Sequence, residues 1–337
     1  MPGLDTDENT SMTLQLNERA LRLVDTLVTN SAVRRVSVHT LATGARVVDC
    51  GIKVEGGLGA GIALARVCLA DLADVSLVPG TIGDVACPHI QVATDHPVAA
   101  CMASQYAGWQ ISVDLPAGAD GKAKKYFAMG SGPIRAAAGR EEIFDKIGYR
   151  ESTPVAVGVL ETRKIPTDEV AHWICERTKV PPSGLSLLVA PTASQAGTVQ
   201  VVARSVETAL HKLYELGFDL GRVVSAHGAA PLPPVARDDL AAIGRTNDAV
   251  LYGGRVTLWV RGDDASIEAI GSRVPSAASS DYGVPFAEIF DRAGGDFYKI
   301  DPHLFSPAEL TFCNLDSGSS RRFGSVNSEI LRKSFGL

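Results

Sequence analysis

Residues 185–217, LSLLVAPTASQAGTVQVVARSVETALHKLYELG, constrain the fold more than any other stretch of the chain. The run opens with LSLLVA at 185–190, apolar enough for a buried strand. A turn of small and polar residues follows at 191–197. A segment with helical spacing then continues to Leu216 and stops at Gly217. A strand feeding a turn and a helix is the building unit of an α/β chain. At 100° per residue, Gln200, Arg204, Glu207 and His211 share one stripe, and Val199, Val202, Val206, Leu210 and Leu213 lie roughly opposite. The expected helix buries the apolar face and presents a guanidinium and a carboxylate on the other. That pair follows a strand and a turn, a usual place for a site in an α/β protein. An Arg and a Glu at this spacing also read as an ordinary solvated ion pair. The valines at 199, 201 and 202 carry enough β propensity to start the segment as a strand.

Taken in order, the chain alternates helix and strand signals. Residues 1–12 are polar and acidic and read as a disordered tail. A helix is expected over 15–30, a hairpin around 36–48, and a helix after the glycine-rich run GGLGAG at 56–61. Those glycines do not match GxGxxG and no GK[ST] follows, so a nucleotide-binding fingerprint is absent. Close backbone packing is their expected use. A strand at 75–78 and a helix at 97–107, with Asp95 in its N-cap region, come next. Strands at 109–113 and 126–129 lead to GSGPIR (130–135), whose small residues would leave backbone N–H groups exposed beside Arg135. An ordinary tight turn explains the same run. PVAVGVL (154–160) is a strand and 167–178 a helix. Beyond the central unit lie strands at 223–226, 255–260, 296–300 and 310–315, helices at 266–270 and 284–292, and a terminal helix from about 326.

A charged run at 148–153 suggests a boundary between a first α/β lobe at 13–150 and a second at 151–337, with late strands available to complete the first. The expected class is α/β with mixed (α+β) sheets, in two lobes.

Composition narrows the function classes. Of 337 residues, 45% are hydrophobic and 21% charged, which suits a soluble globular protein. A net charge of −6 with no Lys/Arg-rich run argues against nucleic acid as partner. No apolar run reaches the ~18 residues of a membrane span, and the acidic N-terminus is the reverse of a signal peptide. The six cysteines show no CxxC spacing and read as small core residues in a reducing compartment, so a cytoplasmic location is expected.

Several chemistries compete for the remaining polar residues. Asp84, His89, Asp95 and His96 are metal-ligand types, and a metal-dependent amidohydrolase is one alternative, but HxH, HExxH and CxxC spacings are all missing. Three histidines could serve a Ser/His/Asp site, yet no GxSxG elbow exists. The Arg204/Glu207 pair needs no further motif. A carboxylate in a narrow, partly apolar cleft can take a proton from water, and a neighbouring guanidinium sets its ionisation and position. Such a pair suits attack of water on a substrate that is already electrophilic.

The blocks VDCGIKVEGGLGAGI (48–62), YFAMGSGPIRA (126–136), APTASQAGTVQVVARSVETALHK (190–212) and LTFCNLDSG (310–318) closely resemble methenyltetrahydromethanopterin cyclohydrolase, and the resemblance runs from about residue 14 onward. It implies an enzyme of one-carbon metabolism, known from methanogens and methylotrophic bacteria. Such an enzyme interconverts the methenyl and N5-formyl forms of tetrahydromethanopterin, or its dephospho relative, by adding water. The family's arginine–glutamate pair falls on Arg204 and Glu207. The resemblance further implies a homotrimer, a substrate cleft for the pterin between the two α/β lobes, and neither metal nor organic cofactor. Ser131, Arg135, Ser194 and Gln195 are the candidates for holding the pterin and its tail. A non-catalytic pterin-binding carrier is the alternative from another class.

Overall fold

Two six-stranded mixed sheets carry the chain. The computed structural model describes residues 14–117, 124–296 and 299–337, so the expected tail at 1–12 lies outside the described residues. From edge to edge, the first sheet runs Ser37–Thr40, Arg46–Asp49, Leu185–Ala190, Ala156–Glu161, Lys124–Ser131, Trp109–Leu115. Its three central strands are parallel, and antiparallel partners flank them on both sides.

Helices cover both faces of that sheet. Val47, Leu187 and Val189 pack with Val170, Ala171 and Ile174 of the helix Asp168–Thr178. On the other face, Val48, Leu188, Val157 and Val159 meet Val24 of the helix Leu16–Thr29 and Leu64 of the helix Leu58–Cys68. A strand covered on both sides reads as a continuous apolar run, and all of Leu185–Ala190 is buried.

The second sheet runs Ser320–Gly324, Glu309–Asn314, Arg255–Val260, Val223–Pro231, His89–Thr94, Asp74–Val78. It buries one face. Val92, Ala226, Leu258 and Phe312 join Val206, Leu210 and Leu213 in the largest apolar cluster, so the helix Ser205–Glu215 lies on this sheet. Its strands alternate buried and half-exposed positions, as in Arg255–Val260.

The α/β content with mixed sheets is as expected from the sequence. The sheets do not follow a cut at residue 150, however. That position falls between two strands paired in the first sheet, Lys124–Ser131 and Ala156–Glu161, and the strands Asp74–Val78 and His89–Thr94 share the second sheet with those after 223.

Among the described residues, the elements that escape the sequence reading include the helix Asp239–Leu251 and the strands His89–Thr94 and Ser320–Gly324. The helix carries Gly244 at its middle, where a Cβ would come within 2.9 Å of Ala287 Cβ, so close packing removed the usual apolar signal. Of the expected strand at 296–300, residues 297 and 298 lie outside the described residues, and the rest is not strand. The segment expected as a helix over 97–107 is a π-helix, Val98–Gln105. Asp95 does not cap it; its Oδ1 accepts from Ser225 Oγ at 2.7 Å.

Candidate active site

The expected single helix from the turn at 191–197 to Leu216 is broken. One helix covers Gln195–Val202 and a second Ser205–Glu215, with Arg204 at φ −92°, ψ 11° between them. The cause is a side chain from outside. Gln105, at the end of the π-helix, donates Nε2–H to the Ala203 carbonyl at 3.0 Å and so occupies an acceptor that a continuous helix would use. π-Helical turns are uncommon and tend to accompany functional sites.

The polar stripe is buried as well as the apolar one. Gln200 is 1% exposed, Arg204 7% and Glu207 6%, which sets aside the alternative of an ordinary solvated ion pair. The apolar face meets the second sheet, while the polar stripe faces the π-helix and the C-terminal end of the strand Ala156–Glu161.

Arg204 does not grip Glu207. Its Nη2 donates to Glu161 Oε1 at 3.1 Å and to Gln200 Oε1 at 3.2 Å, and its buried Nε–H has no partner. Among the described residues, no ion pair or hydrogen bond engages the Glu207 carboxylate. Burial pushes that carboxyl up from 4.5 to about 7, against the opposing pull of the Arg204 and then the Arg135 guanidinium. An almost fully enclosed, unpaired carboxylate near neutrality is suited to accept and return a proton.

Arg135 is fully buried and fixed. Its Nε and Nη2 donate to Glu141 at 2.9 and 2.7 Å, and its Nη1 to the Met102 and Ser104 carbonyls. The guanidinium lies 4.9 Å from the centroid of the Tyr106 ring, which stacks at 5.0 Å on His211. Arg135 thus acts on Glu207 through its charge. Burial and the Glu207 charge together raise the Tyr106 hydroxyl to about 12, so it is a neutral donor.

Ser131 is buried and donates to the Gln105 carbonyl at 2.5 Å, and Gly132 N–H donates to the Ser104 carbonyl at 2.9 Å. The GSGP turn is therefore stitched to the π-helix and does not offer these groups to solvent. Gly132 needs its left-handed φ of +96° to make that turn. Ser194 caps the helix Gln195–Val202, accepting from Gly197 N at 3.0 Å. The structure groups Ser131, Arg135, Arg204 and Glu207 around the π-helix and places Ser194 and Gln195 at the far end of the preceding helix. There Gln195 lines a cavity of about 300 Å³ with Cys87, Pro88, Thr198 and Leu232. A second, open groove of about 860 Å³ contains Asp95, His96 and His227. Neither is lined by Glu207 or Arg204, and neither holds the unpaired, enclosed carboxylate that the chemistry needs.

The metal-ligand types are dispersed. Asp84 pairs with Arg332, and His89 Nδ1 lies 3.0 Å from the Cys87 carbonyl at the opposite end of a strand from Asp95 and His96. Among the described residues, no three potential ligands gather into a metal site.

The cyclohydrolase (MCH) family model matches residues 15–335. The chain belongs to the methenyltetrahydromethanopterin cyclohydrolase family. A methenyltetrahydromethanopterin cyclohydrolase of Rhodopirellula baltica is 50% identical over 313 residues, 91% of each chain. Those of Methylobacillus flagellatus and Methanococcoides burtonii are 44% and 40% identical, over 95% and 96% of this chain and 95% and 99% of their own. In this cyclohydrolase-family chain, sequence reasoning missed Glu161, Gln105 and Tyr106. Glu161 had a usable signal, being a carboxylate at the C-terminal end of a buried parallel strand. Gln105 and Tyr106 had none, because their roles depend on the π-helix.

Proposed function

We propose that the protein is a methenyltetrahydromethanopterin cyclohydrolase in which Glu207 is the general base and acid and Arg204 tunes it through its charge. The carrying observation is the enclosed Glu207 carboxylate, unpaired and raised to about 7 by burial beside two guanidinium groups.

The methenyl carbon, bonded to N5 and N10, is an amidinium-like cation and needs no further activation. Water oxygen adds to it, and Glu207 takes one water proton. The neutral adduct collapses: the C–N10 bond breaks, N10 receives the proton from Glu207, the hydroxyl proton leaves to solvent, and the N5-formyl carbonyl remains. The net change is one water consumed and one proton released. All steps run on the chain's own side chains, without metal or organic cofactor. Positive charge on the substrate favours the ionised carboxylate, so binding prepares the base. Attraction in the ground state alone does not raise turnover; the proton transfer does.

Ser131, Arg135, Ser194 and Gln195 belong to this reading as residues for the pterin and its tail, Ser131 and Arg135 shaping the wall beside Glu207 by their fixed bonds and Ser194 and Gln195 lying farther off, on the side of the tail. A homotrimeric, cytoplasmic enzyme, with the carrier bound between two lobes, completes it.

Following the near-UV absorbance of the methenyl pterin with the wild type and Glu207→Gln tests the assignment. Loss of about 10²- to 10⁴-fold in kcat with substrate still bound is expected. A variant with wild-type turnover removes Glu207 from the mechanism, and one that binds with no turnover in either protein favours a carrier. Turnover abolished by exhaustive chelation favours the metal-dependent alternative. A parallel run with methenyl-tetrahydrofolate, and with carriers of both tail lengths, reads carrier preference.

A further inference from the structure

We propose that Glu161 is a positioning residue for this reaction: with Gln200, it holds the Arg204 guanidinium in place and keeps it from closing on Glu207. This rests on the reading of Glu207 as the base.

Glu161 is bonded from three elements. Its Oε1 accepts from Arg204 Nη2 and from Gln200 Nε2, each at 3.1 Å, and its Oε2 accepts from Thr192 Oγ at 3.2 Å. Gln200 fixes the same atom from the other side, its Oε1 accepting from Arg204 Nη2 at 3.2 Å and from the Cys68 thiol at 3.8 Å. The only ion pair of Arg204 among the described residues is with Glu161. Arg204 and Glu207 sit three residues apart across the helix junction, a spacing at which side chains meet. Without the Glu161 charge, Glu207 is the carboxylate left for that guanidinium, and a paired Glu207 is a weaker base.

Among the described residues, Arg204 approaches Glu207 from the junction, Arg135 from the helix Ile134–Ala138, and Cys101 and Tyr106 from the π-helical segment, while His211, one turn further along the helix of Glu207, stacks on Tyr106. The strand Val223–Pro231 meets the same helix through Ala226 and Gly228, where a Cβ on Gly228 would come within 2.5 Å of Ser205 Oγ. Removing Glu161 therefore changes the balance at Glu207 through Arg204.

The test is the pH profile of kcat/KM, with kcat and KM, for the wild type, Glu161→Gln, Thr192→Val and Glu207→Gln acting on the methenyl pterin. Gln at 161 keeps the shape and drops the charge. Its kcat is expected to fall about tenfold with KM within about twofold, and its acid limb to move down by about one pH unit. Thr192→Val, which removes one bond to Glu161 and leaves every charge in place, is expected to lose about two- to fivefold in kcat. A wild-type kcat and an unmoved limb in Glu161→Gln, or in Thr192→Val should the first not fold, overturn the positioning role. Failure of the base reading shows separately, as a Glu207→Gln variant that keeps rate and limb, and it takes this proposal with it. A limb abolished by Glu207→Gln but unmoved by Glu161→Gln sinks the positioning role alone.

Discussion

Replacing Glu207 by Gln is expected to slow the enzyme and stabilise the fold at once. With 6% of its surface exposed, Glu207 has its carboxyl raised from 4.5 to about 7 by burial, net of the two guanidinium groups. The folded state binds this proton more tightly than the unfolded chain does. The resulting stability is complete below about pH 4.5 and is lost as pH rises through about 7. At about 1.4 kcal/mol per pH unit, that displacement corresponds to about 3 kcal/mol. Gln has nearly the same shape and carries no charge, so it does not incur the cost of an enclosed anion. Urea unfolding of the two proteins at one concentration is the assay. At pH 5 the pair should agree within about 1 kcal/mol, and at pH 8 Glu207→Gln should be the more stable by about 3 kcal/mol. A variant that is less stable than wild type at pH 8 refutes the reasoning, because Glu207 would then be gaining from an ion pair. The i, i+3 pair would be an ordinary structural one.

Arg204→Gln removes the larger of the two cationic influences on Glu207, so the acid limb of kcat/KM should move up by about one pH unit, opposite to Glu161→Gln, with kcat reduced; a pH titration of rate reads both. Asp248, buried and accepting from Phe286 N and Ser334 Oγ, is raised from 3.8 to about 7 by burial, and its contribution to stability is likewise lost as pH rises through about 7. Asp248→Asn can keep both bonds, so it should unfold at higher urea than wild type at pH 8 and not at pH 4. Gly61→Ala would place a Cβ within 2.6 Å of Val199 Cβ and 3.0 Å of the Ala196 carbonyl, where the helices Leu58–Cys68 and Gln195–Val202 pack. A loss of about 1–3 kcal/mol in urea unfolding is expected.

Most of the first sheet was legible because its strands are unbroken apolar runs bounded by turn residues, as in 154–160 and 185–190. The strand His89–Thr94 was hidden by neighbours such as Asp84, Cys87, Asp95 and His96, which drew attention to metal chemistry although Ile90, Val92 and Thr94 alternate inward. The pairing of distant segments was not legible at all. Nothing local joins residues 74–94 to strands after 223, since such pairing is decided by which faces can be buried together. At the site, the spacing of Arg204 and Glu207 was visible. Their burial was not, because a polar stripe enclosed by another element looks the same in sequence as one facing water.

The break in the helix and the unpaired carboxylate follow from one arrangement. On an uninterrupted exposed helix, an arginine three residues before a glutamate tends to meet it, and the pair gains a few tenths of a kcal/mol. Here Gln105 holds the Ala203 carbonyl, and Glu161 with Gln200 holds the guanidinium. The bonds from Gln105 and Glu161 come to the junction in place of contacts that the helix could have made with itself. The stabilising contact between Arg204 and Glu207 is thereby withheld, and Glu207 retains an affinity for protons that an ion pair would remove. That exchange is worthwhile only where a proton must move. An enclosed anion with no partner would otherwise be replaced at no loss by a neutral residue of the same shape, which is why a gain in stability and a loss of turnover should appear together when Glu207 becomes glutamine.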